Sequence, residues 1–159
     1  MNITTLTIAD PGYLKRAARI VALYNEASSW HESPKLEKPS TTLIIAVEGD
    51  SGGLLLDQCT ENGKDAGFYR VMFAAFDPDN RRQGFLRACI QYADRMGVDI
   101  RFVELNPFDD AEEAWARVGF DKLGTWGFTI VASRKKENFI HYGVSMHSAP
   151  RKPEKEHTP

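Results

Sequence analysis

The sequence is poor in cysteine, has no long apolar run, and leans to neither sign of charge. Two cysteines among 159 residues, Cys59 and Cys89, supply neither a disulfide framework nor metal-ligand spacing. Each sits in an apolar segment and reads as a small buried hydrophobe. No secretory leader and no apolar stretch of membrane-spanning length is present, so cytoplasmic residence is the default expectation. A net charge of -2 gives no overall pull toward nucleic acid or an anionic membrane, so any basic patch has to act locally. Internal repeats are absent. His31, between Trp30 and Glu32 in a polar stretch, has no spaced partner for a metal site or a catalytic pair; that stretch either lines an acceptor pocket or covers the core.

What is present suits one soluble α/β domain: 42% hydrophobic and 26% charged residues on a chain long enough to bury a core. Ile3–Ile8 alternates Thr with apolar residues and reads as a strand. Asp10-Pro11 then supplies a cap and first turn for a helix carrying Tyr13, Leu14, Ala17, Ile20, Val21 and Tyr24 on one face and fading near Ala27. Thr41–Val47 and Leu54–Cys59 flank a Gly-rich turn and form a hairpin, and Thr60–Gly67 is the next turn. Phe68–Phe76 reads as a strand and Phe85–Arg95 as an amphipathic helix stopped by Gly97. Ile100–Leu105 is a strand again. A helix capped by Asp109 or Asp110 carries Ala111, Ala114, Trp115 and Val118 to Gly119. Two late strands, Phe120–Leu123 and Trp126–Ala132, lie around Gly124. Phe139, Ile140, Tyr142 and Val144 fit a short terminal strand or an edge cover. Residues 146–159, rich in Pro, Lys and Glu, have nothing to bury and read as a disordered tail to a domain spanning residues 1–145.

The change from strand to helix period falls on Asp77–Gly84. A Gly-containing turn there presents backbone N–H groups that the helix cannot use, and Arg81 and Arg82 add charge suited to a phosphate. Pro78-Asp79-Asn80-Arg81-Arg82-Gln83-Gly84-Phe85-Leu86-Arg87-Ala88 resembles the acyl-CoA-binding segment of the GNAT family of N-acetyltransferases, Arg/Gln-x-x-Gly-x-Gly/Ala after a Pro-acidic turn. Arg81 and Gly84 match, and Leu86 stands where Gly or Ala is usual. Ala111–Phe120 resembles the family's later Ala-x-x-x-Tyr-Glu-Lys-x-Gly-Phe segment. The likeness spans about residues 3 to 133.

The resemblance implies a mixed α/β sheet with splayed central strands, and acetyl-CoA as the group donor. Backbone groups of Phe73, Ala74, Ala75 and Phe76 would hold the pantetheine arm. Those of Arg82, Gln83, Gly84, Phe85 and Leu86 would hold the diphosphate, with charge from Arg81 and Arg87. Trp115 stands where the family often has a Tyr acid, and Phe108 where it often has Asn, with Asn106 two residues earlier as a substitute. Indole donates a hydrogen bond but gives up no proton at useful pH. Glu104 is the best candidate base, with Glu48 and Asp57 as alternatives; Tyr24, Tyr69 and Tyr142 are replacement acids.

Three functions follow: N-acetyl transfer to an amine of a small molecule or protein, a catalytically impaired GNAT-like interaction or structural component, and nucleic-acid binding through Arg81-Arg82 and Arg134-Lys135-Lys136. The absence of a net positive charge and the lack of interleaved aromatics disfavour the third. An exposed late edge strand would suit a homodimer.

Overall fold

A computed structural model describes residues 2–28, 41–78, 84–106, 111–126 and 129–134. Among these are seven strands and three helices: β1 (Ile3–Leu6), α1 (Tyr13–Ala27), β2 (Thr42–Val47), β3 (Gly52–Glu61), β4 (Lys64–Phe76), α2 (Phe85–Arg95), β5 (Ile100–Leu105), α3 (Glu112–Arg117), β6 (Asp121–Trp126) and β7 (Thr129–Ser133). The strands form one mixed sheet in the order β1-β2-β3-β4-β5-β7-β6. The chain divides into two compact units. The first holds the described residues up to Asp57 and from Val71 to Val98; the second holds Gln58–Arg70 and those from Asp99 onward, so β3 and β4 run through both.

In the first unit every residue of β2 is buried, because a helix covers each of its faces. Ile44 and Ala46 point to one side and join Tyr13, Ala17, Ile20, Val21 and Leu23 of α1 in an apolar cluster with Leu55 and Ala75. Ile45 points to the other side and pairs with Thr5, whose hydroxyl lies 3.1 Å from the Tyr92 hydroxyl of α2. A strand covered on both faces needs an unbroken apolar run, and Leu43-Ile44-Ile45-Ala46-Val47 supplies it. The fully buried Tyr13 satisfies its hydroxyl on Thr42.

Three details depart from the sequence reading here. The helix begins at Tyr13 behind Gly12, because the Asp10 carboxylate accepts from the Thr7 N–H at 2.7 Å and so closes the preceding turn. Leu14, in the first turn at the margin of the apolar stripe, is exposed, and Leu23 is buried. The turn expected over Thr60–Gly67 shrinks to Asn62-Gly63, both at positive φ (54° and 78°), which is the two-residue hairpin turn that Asn-Gly favours. β3 and β4 are correspondingly longer. By contrast, α2 and β5 keep the expected bounds.

Both cysteines are buried, Cys89 in α2 and Cys59 in the second unit. Burial pushes the Cys89 thiol from 9.0 up to about 12. Between those values the unfolded chain releases a proton that the folded chain keeps, so stability present below pH 9 is lost as pH rises toward 12. In urea titrations, the drop in unfolding midpoint from pH 8 to pH 10.5 is expected to be smaller for Cys89→Ala than for the parent. Equal drops would contradict this.

The second unit is built on Phe68, Phe102, Cys59 and Val131. The Phe68 and Phe102 rings stand 5.8 Å apart, and the Arg101 guanidinium lies 4.4 Å over Phe68. Trp115 of α3 packs edge-to-face on Phe120 at 5.1 Å. The late strands also shift from the expected bounds. Gly124 lies inside β6 at a register break, where Lys122 pairs with Ala132 and Gly124 with Val131, leaving Leu123 bulged and exposed. The helix cap expected at Asp109 or Asp110, the terminal strand around Phe139–Val144 and the tail 146–159 all lie outside the described residues. No described helix is long and apolar enough to cross a membrane.

Candidate active site

The strand-to-helix junction expected to hold an anion is formed by β4 and α2. The Phe76 and Phe85 rings meet 5.9 Å apart and tie the strand's end to the helix's start. The Asp77 N–H donates to Ser51 O at 2.9 Å, anchoring the end of β4 to the turn before β3. α2 opens at Gly84, whose left-handed backbone (φ 77°) turns the chain into the helix. Among the described residues no side chain caps that end, and its first turn holds no acid. Its leading N–H groups and the positive end of the helix dipole therefore suit an anion. Arg87 is exposed and Leu86 half-buried, while Arg81, Arg82 and Gln83 lie outside the described residues.

A second feature sits on the same strand. β4 is the central strand of the seven, and its neighbour β3 is buried from Gly52 to Asp57, yet Met72, Phe73 and Ala74 are only partly buried. Of the residues whose backbone was expected to hold an extended arm, Phe73 and Ala74 fall in this partly buried run. Ala75 and Phe76, next along, are buried. On the α1 side, Phe73 packs against Tyr24 edge-to-face at 5.2 Å.

The expected proton-handling residues fall in the second unit. Glu104 lies in β5, its side chain 13% exposed, with Oε2 3.7 Å from Nη1 of the buried Arg70. Asn106 is buried at the end of β5. Trp115 is buried against Phe120, which commits its ring to packing. Tyr69 is half-buried and donates its N–H to Asp99 O at 2.8 Å. Of the alternative bases, Glu48 is exposed and accepts from the Asn2 N–H, and Asp57 is buried and accepts from the Thr41 hydroxyl. Arg134 donates from Nε to Ile100 O at 2.7 Å and lies over Phe120, so it belongs to this unit's interior contacts more than to an open basic patch. Trp30, His31, Glu32, Phe108, Lys135, Lys136 and Tyr142 lie outside the described residues. No group of metal-ligating side chains occurs among the described residues.

Arg70 escaped the sequence reading. Its signal was position: in Phe68-Tyr69-Arg70-Val71 the arginine shares the inward face of Phe68. Removing it takes a guanidinium away from 3.7 Å of a largely buried carboxylate. Arg70→Met is expected to lower stability by about 2 kcal/mol, most of it regained in the Arg70→Met/Glu104→Gln double variant. Denaturant unfolding of the three proteins measures the coupling, and additive losses would show that the two side chains act separately.

No protein-family model matches the sequence, and no curated protein is similar to it. Solved structures are. Tetrahymena GCN5 superimposes with a TM-score of 0.58 at 12% identity, covering 86% of this chain and 98% of that one. An acyl-CoA N-acyltransferase from Pseudomonas aeruginosa gives 0.58 at 14% identity, over 84% and 99%. YhbS from Escherichia coli, a GNAT family N-acetyltransferase solved in complex with CoA, gives 0.54 at 16% identity, over 84% and 81%. At such identities the likeness is one of architecture: this chain has the fold of the GNAT N-acetyltransferases, carried on a sequence far diverged from theirs.

Proposed function

We propose that the chain is an N-acyltransferase that moves an acetyl group from acetyl-CoA to an amine of a small molecule or protein. The observation that carries this is the partly buried run Met72–Ala74 on the central strand, which leads toward a helix start at Gly84 that no described side chain caps. The residues present fit the donor. Backbone groups of Phe73–Phe76 can pair with the amides of an extended arm, and the N–H groups at the start of α2 can take its diphosphate. Arg81, Arg82, Gln83 and Arg87 belong to the same reading as contributors of charge and backbone donors.

When bound, acetyl-CoA supplies an activated acyl carbon. The chain's part is to hold that carbon within reach of a neutral amine. The nitrogen bonds to the acyl carbon, the carbon–sulfur bond breaks, one amine proton leaves, and the departing sulfur takes up a proton. The sequence reading gives the amine proton to Glu104, which lies 3.7 Å from Arg70 within the second unit. Asn106 and Trp115 belong to the same sequence reading as candidate hydrogen-bond donors, both buried in the second unit. Because Trp115 has no acidic proton, sulfur departs with help from solvent, and turnover is slow for such a fold. A sequence with two cysteines and no disulfide framework suits a reducing compartment, and we place the protein in the cytoplasm.

The test is thiol release from acetyl-CoA in the presence of amines, read with a thiol reagent that Cys59 and Cys89 escape by burial. Release that requires both substrates is the expected result. CoA binding without release across a broad amine panel would favour the second reading, an interaction component that kept the fold; the packing of Trp115 into the interior is what supports that reading.

A further inference from the structure

Within the first unit the end of β4 is fixed by the turn before β3. The Asp77 N–H donates to Ser51 O at 2.9 Å, and Ala75 O lies so close to Gly52 that a Cβ there would come within 2.1 Å of it. That turn is tied in its own right to α1, since Arg19 Nε donates to Asp50 O at 3.1 Å. From this fixed strand end the Phe76 ring meets the ring of Phe85, the first residue of α2, 5.9 Å away with the planes 63° apart. In the last turn of the helix, the Tyr92 hydroxyl lies 3.1 Å from that of Thr5 in β1. An aromatic contact thus holds the start of α2 and a hydrogen bond holds its end.

Resting on the transferase reading above, we infer that Phe76 and Phe85 are positioning residues for the donor: their edge-to-face contact sets the aim of the N–H groups at the start of α2 that receive the diphosphate. Two physical points lead there. A tilted ring pair fixes orientation as well as distance, because the positive edge of one ring seeks the negative face of the other, whereas an aliphatic contact has no preferred direction. Hydrogen bonds weaken steeply once misaligned, and the positive potential of a helix end is confined to its first turn, so a small tilt at Phe85 is felt there and little elsewhere. The Tyr92–Thr5 contact, about two turns farther on, steadies the helix without setting that aim.

Titrations of the full chain with CoA and, separately, with pantetheine test this without needing an amine acceptor. The proteins compared are the parent, Phe85→Leu, Phe76→Leu, the double variant, Phe85→Tyr and Tyr92→Phe, with a urea midpoint recorded for each. Phe85→Leu and Phe76→Leu should each weaken CoA about fivefold while leaving pantetheine within about twofold of the parent. The double variant should lose no more than either single one, because the same contact is removed in each. Phe85→Tyr, which keeps the ring, should bind CoA as the parent does. Tyr92→Phe should lower the urea midpoint and leave CoA affinity unchanged, which separates aim from stability. Phe85 is only partly buried, so its Leu and Tyr variants carry the test should Phe76→Leu fail to fold. CoA affinity unchanged in Phe85→Leu, equal weakening of CoA and pantetheine, losses that multiply in the double variant, or a loss in Tyr92→Phe as large as in Phe85→Leu would each overturn the inference while the transferase reading stands. A parent that binds no CoA would remove that reading and this inference together.

Discussion

Replacing Gly52 by alanine is expected to destabilise the protein by about 3 kcal/mol or more, lowering the melting midpoint by roughly 10 °C. Two causes act together. Gly52 has φ 108°, a conformation L side chains rarely adopt, and an added Cβ would come within 2.1 Å of Ala75 O. That oxygen belongs to the backbone of β4, so neither side can yield without moving the strand that leads toward α2. The informative control is Gly49→Ala. Gly49 also has positive φ (68°), but nothing lies within 4 Å of its added Cβ. Only the local backbone cost of about 1–2 kcal/mol should appear there. Equal losses at the two sites would mean that the close approach to Ala75 is not what constrains Gly52.

At Gly84 the expected effect falls on ligand affinity. An aspartate there meets no steric bar, since a Cβ finds nothing within 4 Å, and Asp and Asn both tolerate the left-handed backbone. The carboxylate stands at the positive end of α2, where it favours the helix but repels an incoming diphosphate. Gly84→Asp should therefore keep stability within about 1 kcal/mol of the parent while weakening CoA binding roughly ten- to a hundredfold. Gly84→Asn, of the same shape without the charge, should bind CoA nearly as the parent does. Matching losses in the two variants would point to shape and remove the electrostatic role of the helix end.

What could be read in advance depended on whether a residue's neighbours were local. The bounds of α2 were legible because its apolar stripe of Cys89, Ile90 and Ala93 and the Gly97 stop are all written within one segment. The hairpin at Asn62-Gly63 was not, because Glu61, Lys64 and Asp65 are exposed and charged and read as loop. They are strand residues held by pairing, which composition does not report. Asp10 shows the same limit: cap chemistry was recognised, but a competing donor three residues earlier claimed the carboxylate.

For the site, the Gly84 turn was legible as a motif with a mechanism. The partial burial of Met72–Ala74 was not, since a run of apolar residues does not tell which of them the neighbouring elements cover. Likewise nothing local marked Gly52, whose constraint comes from Ala75, far along the chain. Glu104 was singled out for its chemistry, whereas its partner Arg70 emerged only when β4 and β5 were placed side by side.

Amide spectra recorded while the labelled protein is titrated with CoA, and in parallel with pantetheine, address the anion cradle directly. CoA should shift the N–H signals of Gly84, Phe85 and Leu86 together with those of Phe73–Phe76, and pantetheine, lacking the diphosphate, should shift the strand signals alone. CoA binding that leaves the α2 signals unmoved, or no binding at millimolar CoA, would contradict the assignment of that helix start as the diphosphate site.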